Sequence, residues 1–372
     1  MRILLAICSV FFALSVPAQD YYMFVGTYTS GKSRGIYVYK FNSTNGEVQY
    51  VSNTDSSANP SFLAVAPDGK HLYAVNEVSR DKAGFVVSYA FDAETGKLNF
   101  INKQSSGSEN PCHVSITKNG KWLAVANYTG GSLATFPVNA DGSLQAFSQH
   151  IVHTGKGFNP QRQEKPHVHS VFFSPDEKYL LSPDLGLDQV SIYQFNNKAV
   201  KPLTPAPTPF AKSEPGTGPR HLDFSPDGKY MYVIEEMGGM VSAYAYKNGV
   251  TSAIQRIATH RAEFKGQPGS ADIHVSPDGK FLYASNRGEE NNLAIFAIDQ
   301  ATGKLTATGY QSTMGEGPRN FMIDPTGNYL LVANQKTSNI VVFKRDKQTG
   351  LLQQTLQQIE VPNPVCLKML KK

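Results

Sequence analysis

A turn motif that recurs about every 50 residues constrains the fold of this chain more than any other feature. The motif is Pro-Asp-Gly or a close variant, and its copies begin at Pro67, Lys118, Pro175, Pro226, Pro277 and Pro325. Each copy separates two short apolar stretches, such as 62–65 and 72–75, so each is predicted to be the turn of a β-hairpin. A repeat of this length built from strands is typical of the blades of a β-propeller.

Two further strands follow each hairpin, which makes four strands per repeat, and six such repeats are visible. The chain ends supply a seventh. Segments 21–29 and 35–41 look like the second and third strands of a blade that lacks its first, and segment 363–369 resembles segment 59–64. We therefore predict an all-β, seven-bladed β-propeller of four-stranded antiparallel blades, with the ring closed by the C-terminal strand joining the N-terminal blade. Closure removes exposed sheet edges.

The first 18 residues have the pattern of a signal peptide. Arg2 provides the positive charge, residues 3–16 form an apolar run too short to cross a bilayer, and Val16-Pro17-Ala18 fits a cleavage site. Residues 19–372 are then one propeller domain, and the protein is predicted to be secreted or periplasmic, with no membrane span.

Composition narrows the range of partners. The net charge is only +5, and the basic residues are scattered rather than clustered, so we expect no nucleic acid partner. We expect a monomer. Cys8 would leave with the signal peptide, and Cys112 and Cys366 map to the inner strands of blades that are not neighbours. These two cysteines are predicted to be free, partly buried thiols.

The repeat also predicts which side chains meet. Positions six before each motif and ten after it should lie on one face of the blades, near one mouth of the central channel. The first set contains Ser61, Cys112, His169, Arg220, Ala271 and Arg319. The second contains Glu77, Tyr128, Leu185, Glu236, Arg287 and Gln335.

This ring of polar groups predicts a catalytic site. Two arginines at one mouth suit a carboxylate or phosphate ligand, because guanidinium groups pair with planar oxyanions. We assign catalysis to Glu236 as the base that activates water, to His169 as a proton donor or shuttle, and to Arg220 and Arg287 as the groups that hold the anion. Nearby arginines would lower the pKa of Glu236 and burial would raise it, and the sequence does not decide between them.

Seven further polar residues at or beside these positions are predicted to bind substrate. They are His113, His167, His221, Asn127, Asn286, Arg319 and Asn334. The alternative is that polar residues of a propeller channel only line water. Segment 155–166, which is longer than its counterparts, is either a lid or a variable loop.

Other chemistries have weaker signals. His167 and His169 form a His-x-His pair without matched partners, so we predict no catalytic metal. No Gly-x-Ser-x-Gly elbow is present, and no Gly-x-Gly-x-x-Gly links a strand to a helix, so we predict neither a serine triad nor a dinucleotide cofactor.

Five segments carry a family resemblance. In 110–115, 166–170, 218–221, 272–279 and 317–320 the chain resembles the 6-phosphogluconolactonase-like propellers and the related carboxymuconate-lactonising enzymes. The resemblance implies seven blades, lactone chemistry and no required cofactor. The active site proposed for the lactonising branch falls on His169, Arg220, Glu236 and Arg287 here.

The resemblance leaves the substrate open. 6-Phosphogluconolactone is a cytosolic metabolite, whereas this chain is predicted to be secreted, so an unphosphorylated sugar-acid lactone or another carboxylated lactone is an equal candidate. We expect a secreted lactonase that hydrolyses a sugar-acid lactone. The alternatives are a lactonising isomerase of the carboxymuconate type and a non-catalytic propeller that binds a protein or glycan.

Overall fold

The computed structural model describes residues 20–55, 57–80 and 83–372, and these residues form seven four-stranded antiparallel sheets. The predicted signal peptide, residues 1–18, lies outside the described residues. In chain order the strands are β1 (Asp20–Thr27), β2 (Tyr37–Asn42), β3 (Val48–Asn53), β4 (Leu63–Val65), β5 (His71–Arg80), β6 (Ala83–Asp92), β7 (Lys97–Ser105), β8 (Pro111–Ile116), β9 (Trp122–Asn127), β10 (Ser132–Pro137), β11 (Gln149–Val152), β12 (Phe172–Phe173), β13 (Tyr179–Asp184) and β14 (Gln189–Phe195).

The second half continues the same pattern. Its strands are β15 (Leu203–Lys212), β16 (Pro219–Phe224), β17 (Tyr230–Glu235), β18 (Met240–Lys247), β19 (Val250–Ala258), β20 (Ser270–Val275), β21 (Phe281–Asn286), β22 (Asn292–Ile298), β23 (Leu305–Ser312), β24 (Pro318–Ile323), β25 (Tyr329–Asn334), β26 (Asn339–Arg345), β27 (Leu352–Glu360) and β28 (Pro364–Lys371). One short 3₁₀ helix, Leu185–Leu187, follows β13. No helix in the described ranges is long and apolar enough to span a membrane.

The ring closes as predicted. Blade 1 has the order β28-β1-β2-β3, and blades 2 to 7 each consist of four consecutive strands, from β4–β7 to β24–β27. β28 pairs antiparallel with β1, from Tyr21 opposite Lys371 to Thr27 opposite Pro364. The all-β, seven-bladed prediction and its closure by the C-terminal strand are confirmed.

Hairpin turns and buried tyrosines explain why these segments form blades. The glycines of the Pro-Asp-Gly turns, such as Gly69 and Gly228, have φ near 70°, a conformation that glycine adopts at little cost. Tyrosines on the second strand of a blade are buried and bond the outer turn of the next blade, as Tyr232 Oη does to Gly303 O at 3.1 Å and Tyr283 Oη to Gly350 O at 2.7 Å. Burial of each ring contributes about 1.5–3 kcal/mol to stability. The repeated tyrosines therefore stabilise the packing of each blade against the next.

The two remaining cysteines are unpaired, as predicted. Cys112 lies on β8 in blade 3 and Cys366 on β28 in blade 1, and both are buried free thiols.

Candidate active site in the central channel

The inner strand of each blade begins at one mouth of the channel and runs toward its hairpin turn at the other. We call the first the upper mouth and the second the lower mouth. The two predicted sets of positions meet at the upper mouth: Ser61 Oγ lies 2.5 Å from Glu77 Oε2, and Arg220 Nε lies 3.0 Å from Glu236 Oε2. The repeat therefore predicted correctly which side chains are neighbours in blades 2 and 5.

Glu236 is held by three guanidinium groups. Its Oε2 pairs with Arg220 and with Arg287 at 3.0 Å each, and its Oε1 pairs with Arg162 at 2.7 Å. Burial raises the pKa of Glu236, but attraction to Arg287, Arg220 and Arg162 outweighs burial and holds the pKa well below its ordinary value. Because both of its oxygens are bonded to guanidinium groups, Glu236 is a poor general base, which disfavours the role predicted from sequence.

Arg162 was missed by the sequence analysis because it lies outside the repeat, in the long loop between β11 and β12. The neighbouring residue, Gln163, is fully buried and anchors the loop by donating from Nε2 to Leu185 O at 2.8 Å and to Asp188 Oδ1 at 2.7 Å. The loop thus brings Arg162 over the site.

Glu77 occupies the same repeat position as Glu236 but has different partners. Its Oε2 accepts hydrogen bonds from Tyr28 Oη at 2.8 Å and from Ser61 Oγ, and in the described part of the chain it has no ion-pair partner within 4.0 Å. The Arg319 guanidinium lies over the ring of Tyr28, 5.4 Å from its centroid. Among the described residues Arg319 has no hydrogen-bond or ion-pair partner, so its charge is available to a ligand.

These groups enclose a cavity of about 10 Å³, which is about the space that one water molecule needs. It is lined by Ser61, Phe62, Glu77, Cys112, His169, Arg220, His221, Arg319 and Val365. Of the four predicted catalytic residues, His169 and Arg220 line this cavity. Glu236 pairs with Arg220, and Arg287 reaches the site through its ion pair with Glu236.

Two neutral histidines, His169 and His221, line the cavity, and a third, His113, lies behind them at the lower cavity. The ring of His221 lies 5.2 Å from that of His169 and 5.4 Å from that of His113. Burial, followed by the charge of Arg220, lowers the pKa of His169 well below its ordinary value and that of His221 to about 4. Burial lowers the pKa of His113 in the same direction. All three imidazoles are therefore uncharged near neutral pH and can accept a proton.

His167 lies at the rim rather than at the cavity. Its ring stacks on Tyr128 with centroids 4.6 Å apart, and its Nε2 lies 3.2 Å from Glu164 Oε1.

The three asparagines predicted to bind substrate lie on the opposite face of their strands. Asn127, Asn286 and Asn334 are buried, and each donates from Nδ2 to a backbone carbonyl, at 3.0, 2.7 and 2.9 Å. Successive side chains of a strand point to opposite faces, so the position next to a cavity residue faces away from the cavity. The structure thus gives these asparagines a role in holding loops and does not support substrate contact.

The lower mouth has a different character. A wider cavity of about 330 Å³ opens there, lined by Phe62, Asp223, Asp272, His274, Lys368 and other residues. Phe62 and His221 line both cavities and separate them. Within the described ranges no cluster of three or more His, Cys, Asp or Glu side chains is arranged to hold a metal ion.

Comparison with known proteins places the chain in a family. Residues 22–369 match the family model described as "Lactonase, 7-bladed beta-propeller". The chain is 44% identical to a 6-phosphogluconolactonase of Formosa agariphila, over 93% of this chain and 99% of that protein, and 37% identical to a 6-phosphogluconolactonase of Bacillus subtilis, over 94% and 98%.

Among solved structures, the periplasmic gluconolactonase PpgL of Pseudomonas aeruginosa has a TM-score of 0.90 and 40% identity, covering 94% of this chain and 99% of that one. The chain therefore belongs to the lactonase family of seven-bladed β-propellers, which confirms the resemblance inferred from its motifs.

Proposed function

We propose that this chain hydrolyses the lactone ring of a sugar acid at the upper mouth of its channel. The observation that carries the proposal is Arg319, whose guanidinium group lies over the ring of Tyr28 but has no hydrogen-bond or ion-pair partner among the described residues, next to a cavity with about the space of one water molecule. Arg319 can polarise a lactone carbonyl and stabilise the oxyanion that forms when water attacks it. The family and the names of the relatives support the same chemistry.

The charges at the upper mouth favour an anionic lactone. Four guanidinium groups, of Arg162, Arg220, Arg287 and Arg319, face the carboxylates of Glu77 and Glu236, while the imidazoles are neutral. The surplus of positive charge suits a phosphate or a second carboxylate on the substrate.

Each remaining residue has a role that follows from its contacts. Glu236 fixes the guanidinium groups of Arg220 and Arg287, since it bonds both. Glu77 Oε1 has no hydrogen-bond partner among the described residues and can accept a hydrogen bond from a sugar hydroxyl, because the two bonded hydroxyls use Oε2. His169, a neutral imidazole on the cavity wall, can form a hydrogen bond with the bound substrate or with the attacking water.

We further propose that the chain acts outside the cytoplasm after losing residues 1–18, in keeping with the periplasmic relative. A carboxylated lactone without a phosphate would then be the substrate met in that compartment. N-terminal sequencing of protein recovered from the periplasm of a Gram-negative expression host should give a start near Gln19, and a start at Met1 would contradict secretion.

Acid release in a pH-stat tests the activity. The substrates are glucono-δ-lactone, its 6-phosphate and a glucaric acid lactone, with EDTA as a metal control. We expect hydrolysis above the spontaneous rate, with kcat/KM about tenfold higher for the anionic lactones, and a gap that narrows as salt screens the charges. No release from any lactone would contradict the proposal and direct the next assay to lactonisation of a muconate or to binding.

A further inference from the structure

Asp272, on the inner strand β20, is a buried carboxylate next to the channel. It has no role in the hydrolysis proposed above. Its Oδ1 lies 2.7 Å from His221 Nδ1. Its Oδ2 lies 3.0 Å from His274 Nε2 and also accepts hydrogen bonds from Asn320 Nδ2 and the backbone N–H of Phe321. The surroundings thus fix the carboxylate from three inner strands.

This contact sets the tautomer of His221. The pKa of Asp272 is held well below its ordinary value, since His274 and His221 outweigh its burial, so the group is an ionised carboxylate that can only accept hydrogen bonds. His221 Nδ1 must therefore carry the proton. The other ring nitrogen, Nε2, therefore carries a lone pair on the wall of the upper cavity, where it accepts a long hydrogen bond of 3.5 Å from Arg220 Nη1.

The other candidate bases are less well prepared. Glu236 has both oxygens bonded to guanidinium groups. His169 Nδ1 is buried without a hydrogen-bond partner in the described part of the chain, so no group fixes its tautomer. Among the imidazoles of the described residues, only His221 combines a place on the cavity wall with a carboxylate that orients its ring.

We propose that His221 is the general base of this site and that Asp272 is the residue that positions it. The inference rests on the lactone hydrolysis proposed above. His221 Nε2 takes one proton from the cavity water as the water oxygen bonds to the lactone carbonyl carbon. When the bond between that carbon and the ring oxygen breaks, His221 Nε2 gives this proton to the ring oxygen. The new carboxylic acid then releases its own proton to solvent.

The charges around His221 make the pH dependence informative. Arg220 and His274 lower its pKa, Asp272 raises it, and the rings of His113 and His169 that face it are neutral. Activity requires neutral His221, so kcat/KM should fall as the pH drops through its pKa. Loss of the Asp272 charge should move this acid limb to lower pH, and loss of the His274 charge should move it to higher pH.

Asp272→Asn and His274→Gln form a matched pair, because each removes one end of the same buried hydrogen bond. We expect Asp272→Asn to lower kcat on the order of a thousandfold, whereas His274→Gln keeps kcat within about tenfold and shifts the acid limb upward. Thermal unfolding of both variants reports on any general damage.

His221→Gln provides a second test of the proposal in case the Asp272→Asn variant does not fold. We expect it to lose as much kcat as Asp272→Asn, and the double variant to lose no more than His221→Gln alone, because the two residues act as one unit. A fully active His221→Gln, or equal losses in Asp272→Asn and His274→Gln with an unmoved acid limb, would overturn the inference. An inactive wild type would instead remove the proposed function itself.

Discussion

Glu77 and Glu236 occupy the same position in blades 2 and 5, yet their surroundings are opposite. Glu236 binds three arginines and has a strongly lowered pKa. Glu77 accepts two hydroxyl hydrogen bonds, and Arg319 has no ion pair within the part of the chain that the structure describes. The difference comes from the partner six residues before each turn, which is Arg220 in blade 5 and Ser61 in blade 2. One repeat position is therefore the centre of an ion-pair cluster in one blade and, in the function proposed above, part of the ligand site in another.

The largest expected effect that tests this comparison is on stability. Glu236→Gln leaves three guanidinium groups without their shared carboxylate, and removal of one partner from a buried ion pair typically costs about 3–5 kcal/mol. Glu77→Gln removes no ion pair and should cost about 1 kcal/mol. Urea unfolding of the two variants measures both values, and equal losses would remove the distinction between the two glutamates.

The pH dependence of that loss gives a second test. A lowered pKa in the folded state means that the stabilisation by Glu236 is present above the pKa of the unfolded chain, about 4.3, and disappears as the pH falls through the folded value. The difference in unfolding free energy between wild type and Glu236→Gln should therefore be constant from about pH 7 to pH 5 and shrink below about 4.3. A difference that grows in acid would contradict the assignment.

A smaller effect is expected from the loop. Arg162 is 45% exposed, so Arg162→Met should cost less than about 1 kcal/mol of stability. It frees Glu236 Oε1 and removes one positive charge from the mouth, so kcat/KM for an anionic lactone should fall about tenfold while that for glucono-δ-lactone changes little. Arg34→Met, which breaks the exposed pair with Asp55 on blade 1, is the control. Equal changes for both lactones would show that Arg162 does not select charge.

The sequence predicted the fold almost completely because the information is repeated: each hairpin motif marks one blade, and the similarity of 363–369 to 59–64 predicts the closing strand. For the candidate site, the sequence predicted which residues lie together better than it predicted what each residue does. The repeat spacing predicted that Arg220 lies beside Glu236. It could not reveal Arg162, which lies in a loop outside the repeat, or Asp272, which lies one residue after the position six before its turn motif. Substrate binding by the three asparagines stays a prediction that their contacts do not favour, because adjacent strand positions face opposite sides.

The central claim, that catalysis takes place at the upper mouth, is tested most directly by Arg319→Gln beside Lys368→Gln. Both cations line the channel, one at each end, and Lys368 Nζ lies 4.8 Å from the ring centroid of Phe62, between the two cavities. The measurement is the initial rate of acid release from the best lactone substrate. We predict at least a hundredfold loss for Arg319→Gln and a rate close to wild type for Lys368→Gln. A normal rate for Arg319→Gln with a large loss for Lys368→Gln would contradict the account and place the active site at the lower mouth.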